Sequence, residues 1–392
     1  MVKIDQQKIQ EILTRGVEEV IDAENLEKKL KSSKPLRVKL GIDPTSPNIH
    51  IGRSIPLLKL KDFQDLGHKI VLIIGDFTGI IGDTSDKDSE RPILSKKTIA
   101  DNMKTYAKQA GKILDIRKCE IHYNSKWLSK LGYDEIGEQA DQFSLHEMIM
   151  RENIKKRMDA GQRVSLRELL YPLMQGYDSV AIKSDVELGG TDQKFNLLAG
   201  RELQRHYGQE PQDILMGPLL EGTDGRKMSS SWGNTINLFD SASDMFGKIM
   251  SIPDELIEKY FVLATRLPLK EISEIKKLQN PRDQKAKLAK EIVRMYHGEK
   301  EANKAEEEFN KTFRDDNPTF IDFTVDEIKI FYPELINRIA GVSTSEAKRL
   351  IVSGAVEING VVDKEWKKEI DIDEEGVKIK VGKKMFFKVR LK

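Results

Sequence analysis

The 392-residue sequence predicts a doubly wound α/β domain with a parallel sheet, then an all-helical unit and a small α+β module. Three observations carry this. Strand-like and helix-like patterns alternate between residues 36 and 220, the arrangement that builds a parallel sheet with helices on both faces. Residues 69–75, KIVLIIG, are an unbroken, β-branched-rich run of the kind such a sheet buries on both sides. From residue 243 to 313 the apolar spacing is helical throughout, and strand patterns return only near the end.

The elements follow in order. The first thirty residues read as helix, with Ile9, Ile12, Leu13, Val17, Val20 and Ile21 at three- and four-residue spacing. Residues 36–42 alternate as a strand and run into a Pro/Asn turn. A helix is expected over 54–66, with Pro56 tolerated in its first turn. The buried strand comes next, then a helix over 95–114 and a short strand at 120–123. Residues 124–163 are polar, helical and rich in Met, Glu and Lys, and read as an insertion between the halves of the sheet. The alternation resumes with a helix at 166–177, a strand at 185–188, a helix at 191–207 and an apolar segment at 214–220. The expected domains are therefore 1–224, a helical domain over 225–320, and a compact module over 331–392 of two short helices and three strands, with RDDNP at 314–318 as a linker.

Composition narrows the function classes. Lys+Arg at 65 balances Asp+Glu at 64, for a net charge of +1, which argues against a chain that coats nucleic acid throughout. Hydrophobic residues at 39% and charged residues at 33% are a folded, globular balance. No apolar run approaches the ~20 residues of a membrane span. The start, MVKIDQQKIQ, lacks the apolar core of a signal peptide. A single Cys119 excludes an internal disulfide and a cysteine-built zinc site. A cytoplasmic protein with no membrane partner and no protein-bound metal is expected. The neutral total hides one asymmetry, a basic ending from Gly376 to Lys392 that contains no acid and suits phosphate.

Two segments carry chemistry. DPTSPNIHIGR, residues 43–53, lies between a predicted strand and the next helix, where a doubly wound sheet binds ligands beside a helix N-terminus. His50 there can donate to a phosphate, and Gly52 lets a flat purine approach the backbone. DGRKMSSSWGN, residues 224–234, is a Gly/Ser-rich loop with adjacent cations, suited to closing over a polyphosphate. In addition, Tyr171, Gln175 and Asp178 fall at i, i+4 and i+7 on one helix face. That stripe suits a pocket wall better than a core face, because buried Gln and Asp need partners.

The paired segments, with GDFTGIIGD (75–83), YPLMQGYD (171–178) and LGGTDQ (188–193), resemble class I aminoacyl-tRNA synthetases. Among these the chain is similar to the tyrosyl-tRNA synthetases of the bacterial branch that ends in a small RNA-binding domain. The resemblance implies joining of L-tyrosine to ATP, with Mg²⁺, and transfer of the tyrosyl group to the 3′ end of tRNA(Tyr) by a homodimer. It implies that Asp178 meets the substrate hydroxyl, that Asp83, Tyr171 and Gln175 hold the ammonium, and that Gln193 faces the amino-acid backbone. It places Asp192 at the ATP ribose, Gly52 and Met228 near the nucleotide, Thr45, His50 and Lys227 on the transferring phosphates, and Asp43 where ammonium and ATP meet. Lys87 and Arg91 match positive positions on the pyrophosphate side. Three departures stand out: Arg53, a cation that can still meet phosphate, replaces a second histidine, Ser230 replaces a second lysine, and Lys39 a tyrosine that another branch places on the phenol. Arg53 and Ser230 are kept with Thr45, His50 and Lys227 as the expected catalytic residues.

The segments STSEAKRLI (343–351) and GAVEINGV (354–361) resemble the small RNA-binding domain shared with a ribosomal protein and pseudouridine synthases. Lys348 and Arg349 would meet RNA backbone there, together with the basic ending. The alternatives are a synthetase for another amino acid, such as tryptophan, and a catalytically weakened paralogue that binds structured RNA.

Overall fold

The computed structural model describes residues 2–83, 94–313, 320–382 and 385–392. These form two compact units, Met1–Asn303 and Lys304–Lys392.

The first unit is built on six strands: β1 (Glu19–Ile21), β2 (Arg37–Ile42), β3 (Lys69–Ile74), β4 (Cys119–Tyr123), β5 (Val186–Gly190) and β6 (Asp213–Gly217). Their order is β1-β6-β5-β2-β3-β4, with β1 antiparallel at one edge and all other pairs parallel. β3 lies between β2 and the edge strand β4 and is buried along all but its first residue, as its aliphatic run demands. The strand order reverses direction at β2, which has β3 on one side and β5 on the other. β2 pairs with β3 along its whole length, but with β5 only at Val38↔Val186 and Lys39↔Glu187. Beyond that point the two strands part. The crevice this opens, at the carboxyl ends of the strands, is where an open α/β sheet takes its ligand.

Several local departures from the sequence pattern have clear causes. The strand β1 interrupts the helical first thirty residues because Gly16, at φ +61°, ends the helix Gln6–Thr14 and turns the chain onto β6. The helix expected from 54 begins earlier, spanning Ile51–Asp65, because His50 caps it by accepting the Arg53 N–H; Pro56 therefore lies inside the helix. The helix expected over 95–114 is broken into Lys96–Met103 and Tyr106–Ala110. Its side chains serve the 43–53 loop: Asn102 donates to the Pro44 carbonyl, Tyr106 to that of Ser46, and Gln109 to that of Pro47 while accepting from the Ile49 N–H. A loop with so few backbone partners of its own needs them.

The insertion consists of four short helices, Ser125–Leu128, Tyr133–Ala140, Leu145–Ile149 and Glu152–Asp159. It is fastened to the helix Leu166–Ile182 by a buried Arg157–Glu168 ion pair. The helices Ala242–Met250, Ile257–Ala264, Leu269–Lys276 and Pro281–His297 fall in the same compact unit as the sheet. One buried cation, Arg15, joins the second of these helices to the turn after Gln6–Thr14, and another, Lys59, joins the helix Ile51–Asp65 to Gln6–Thr14. The Arg15 guanidinium donates to the carbonyls of Phe261, Val262, Thr265 and Leu267, around the C-terminal end of Ile257–Ala264. Lys59 likewise donates to the carbonyls of Glu11, Ile12 and Arg15 at the end of Gln6–Thr14. Both meet the orphan acceptors and the negative dipole end of a helix.

The second unit holds the helices Tyr332–Ala340 and Thr344–Val352 over a five-stranded sheet, around a core that includes Tyr332, Leu335, Ile351, Val356, Ile379 and Val389. The strand Ile321–Val325 runs parallel to Met385–Leu391 in that sheet. The module thus takes in residues before 331, where the sequence pattern alone starts it.

Candidate active site

Where β2 and β5 separate lies a cavity of about 360 Å³. Lining it are Thr45, His50, Gly52, Arg53 and Asp43 from the first segment, and Lys227, Met228 and Ser230 from the second. Asp83, Tyr171, Gln175, Asp178, Asp192 and Gln193 line the same cavity. Residues separated by up to 187 positions in the chain are thereby brought to one place. Lys87 and Arg91 lie outside the described residues.

One side of the cavity is lined by polar groups that bond to one another. Asp43 follows β2 and accepts from Thr78 Oγ1 at 2.7 Å and from the Tyr171 hydroxyl at 2.8 Å. This is possible because residue 75 is glycine: a Cβ there would lie 2.0 Å from Asp43 Oδ1. Gln193 donates to Asp83 at 2.6 Å and accepts from Asn196 at 2.9 Å. Asp178 is 3% exposed. Its Oδ1 accepts from the indole N–H of Trp127 at 2.7 Å and its Oδ2 from Asn124 at 3.3 Å. Asn124 is oriented in turn by donating to Thr78 Oγ1 and accepting from the Phe77 N–H.

Burial pushes the Asp178 carboxyl up to about 7, while the charge of Lys39 and the hydrogen bonds from Trp127 and Asn124 pull it back. Because its folded value lies above the ordinary one, ionising Asp178 costs stability. From about pH 4 to 7 the native chain holds this proton longer than the unfolded chain, so Asp178 contributes a progressive loss of stability as pH rises through that window. Urea unfolding at pH 5 and pH 7 should show Asp178→Asn losing less stability across the interval than the parent. An identical change in both would mean that the carboxyl is not perturbed.

The other side of the cavity is built around the start of the helix Ile51–Asp65. His50 Nδ1 accepts the Arg53 N–H at 3.3 Å, which leaves the ring proton on Nε2 as a donor. Burial and the charges of Arg53 and Lys227 lower its pKa to about 3, so His50 is a neutral donor at physiological pH. Arg53 donates to Thr45 Oγ1 at 3.0 Å and to the Tyr106 hydroxyl at 3.2 Å, and so braces the 43–53 loop. The Gly52 N–H meets Met228 Sδ at 3.4 Å and Ser230 Oγ lies 3.4 Å from Ser46 Oγ, so the two segments touch directly. Lys227 Nζ is 3.0 Å from Asp192 Oδ2. Arg226 is turned away, paired with Asp224 and stacked on Trp232 at 4.8 Å from the ring centroid.

Trp127, Asn124, Thr78 and Asn234 were not legible as site residues. Asn234 shapes the second segment by accepting from the Ser229 N–H and donating to the Lys227 carbonyl and to Asp224. Its place in a Ser/Gly-rich loop was the only signal. Lys39 is not on the cavity wall at all. It is wholly buried against Glu187. In the second unit, Lys348 lies over the Trp366 ring at 4.4 Å and Arg349 is paired with Glu346.

A parallel sheet with its cleft at the strand reversal, a His-Gly helix start and a lysine-bearing loop on the same cavity define a class I-type nucleotide-using site. The family model for tRNA synthetases class I (W and Y) matches residues 31–314, and the chain belongs to that family. Proteins named tyrosine–tRNA ligase are 47% identical in Carboxydothermus hydrogenoformans, over 98% of this chain and 98% of that protein. The one in Moorella thermoacetica is 46% identical, over 96% and 94%. That of Thermotoga maritima is 45% identical, over 96% of each. The fold is shared with a C-terminally truncated Aspergillus nidulans mitochondrial tyrosyl-tRNA synthetase, with a TM-score of 0.66 at 22% identity, covering 79% of this chain and 95% of that one. It is shared also with the Archaeoglobus fulgidus tyrosyl-tRNA synthetase complexed with L-tyrosine, at a TM-score of 0.60 and 24% identity, over 77% and 100%.

Proposed function

We propose that this chain is a tyrosine–tRNA ligase that joins L-tyrosine to ATP, supplied as its magnesium complex, and passes the tyrosyl group to tRNA(Tyr). A tyrosine carboxylate oxygen bonds to the α-phosphorus while the bond to the departing pyrophosphate breaks. A hydroxyl at the tRNA 3′ end then takes the acyl group and AMP leaves. No protein nucleophile is needed; position and charge do the catalysis.

The observation that carries this reading is the buried Asp178, held by Trp127 and Asn124 on the same cavity as His50 and Lys227. Asp178 accepts the phenol hydrogen. Asp43, Asp83, Tyr171 and Gln175 surround the ammonium, and Gln193 faces the amino-acid backbone. Asp192 takes the ribose, the backbone at Gly52 and Met228 takes the adenine side, and Thr45, His50 and Lys227 take the phosphates, with Arg53 and Ser230 supporting the two loops. The second unit binds tRNA through Lys348, Arg349 and the basic ending. A homodimer accounts for Tyr133, Leu145 and Leu166, at 94%, 67% and 78% exposure on and beside the insertion. The chain works in the cytoplasm. Among the described residues no helix is long and apolar enough to cross a membrane.

The experiment is tyrosine-dependent exchange of labelled pyrophosphate into ATP. The full chain should support it with tyrosine and only poorly with phenylalanine or tryptophan. No exchange at saturating tyrosine, with tRNA binding retained, would favour an RNA-binding paralogue instead.

A further inference from the structure

The last residues that β2 and β5 pair before they part are Lys39 and Glu187. Their side chains form an ion pair of 2.9 Å at 0% and 1% exposure. A charged pair this deep costs more in lost hydration than its attraction returns unless its remaining donors and acceptors are also met. Here they are. Lys39 Nζ donates to Ser179 Oγ at 2.8 Å and to the Gln175 carbonyl at 3.0 Å. Glu187 Oε1 accepts from Gln175 Nε2 at 3.2 Å, and Oε2 accepts from Ser179 Oγ at 3.0 Å and from Gln212 Nε2. The helix Lys194–His206 leaves space for this: a Cβ on Gly200 would sit 2.6 Å from Gln212 Nε2 and 3.0 Å from Ser179 Oγ. The fold keeps room for a costly pair at the root of the cleft.

The consequence falls on Gln175. A carboxylate only accepts hydrogen bonds, so Gln175 must turn its NH₂ to Glu187. The amide oxygen is then what Gln175 offers to the cavity it lines. An ammonium only donates, so an oxygen there suits it and an NH₂ would repel it. We propose that Glu187, balanced by Lys39, is a positioning residue that fixes the Gln175 amide with its oxygen toward the cavity. The pocket thereby selects an amino acid with a protonated α-amino group. This rests on the reading that Gln175 holds the ammonium of tyrosine.

The test uses the full chain and two ligands, tyrosine and 3-(4-hydroxyphenyl)propionate, which is tyrosine without its amino group. Calorimetry gives both dissociation constants, and their ratio reports what the ammonium gains in the pocket. Glu187→Gln alone strands a buried cation and invites misfolding. The informative variant is therefore Lys39→Met with Glu187→Met, which removes both charges, with its fold checked by circular dichroism. Tyrosine should bind about 10–100-fold more weakly, the scale of one hydrogen bond to a charged group, while the deaminated ligand stays within about twofold of the parent. In a Gln175→Ala background the methionine pair should leave the ratio where Gln175→Ala put it. Equal weakening of both ligands overturns the inference, as does a further fall in the ratio on top of Gln175→Ala. If Gln175→Ala itself leaves the ratio at the parent value, the underlying ammonium reading is the one that fails.

Discussion

Lys227→Ala should slow tyrosyl-adenylate formation by about 10²–10³-fold, the scale for losing one preorganised contact to charge that develops in the transition state. Lys227 is the cation of its loop that faces the shared cavity, with Nζ 3.0 Å from Asp192. Its neighbour Arg226 is committed to Asp224 at 2.6 and 2.8 Å and to the Trp232 ring, so a substitute would have to abandon both. Tyrosine binding should barely change, because the polar network around Asp178 and Tyr171 does not include the loop. Ser230 approaches the opposite segment at Ser46, so Ser230→Lys should partly restore the Lys227→Ala rate. Single-turnover adenylate formation decides the assignment: a parent rate in Lys227→Ala together with a slow Arg226→Ala would transfer the role to Arg226.

Asp178→Asn should lower kcat/KM for tyrosine by about 10²-fold or more and for phenylalanine much less. The carboxylate offers acceptors to Trp127, Asn124 and an incoming phenol at once. An amide has one oxygen for the same three donors, and its NH₂ would face donors already in place. Losing a charged hydrogen bond and leaving partners unmatched costs about 3 kcal/mol, roughly two orders of magnitude. Phenylalanine has no hydroxyl to lose. Parallel falls for both amino acids would make Asp178 a structural residue. The unfolding experiment at two pH values is independent of this outcome, since it needs no substrate.

The sheet was legible because one interior strand, β3, is an uninterrupted aliphatic run and because period-2 and period-3.6 patterns alternate around it. What the pattern could not give are features set by distant partners. β1 is three residues long and exists because β6 lies beside it. The break between Met103 and Tyr106 exists because side chains of both flanking helices serve the 43–53 loop. The strand Ile321–Val325 is defined by its parallel neighbour at the chain end. The same holds in the site. Residues within contiguous segments, such as His50 or Lys227, could be singled out. Trp127 and Asn124 could not, because they sit in a polar insertion and matter only through their hydrogen bonds to Asp178. Lys39, which stands where another branch places a tyrosine on the phenol, is buried in an ion pair with Glu187. No local spacing encodes that pairing.

The fastening of Arg15 to the carbonyls of residues 261–267 sets a timetable for the newborn chain. Synthesis runs from the N-terminus, so the first segment emerges from the ribosome with neither β6 nor that helix end yet made. At ~5–20 residues per second the wait is roughly 12–50 s. During it the guanidinium and the edge of β1 must remain hydrated. The catalytic unit can therefore close around Arg15 only after residue 267 has been translated, although Lys59 can fasten the helix Gln6–Thr14 well before then.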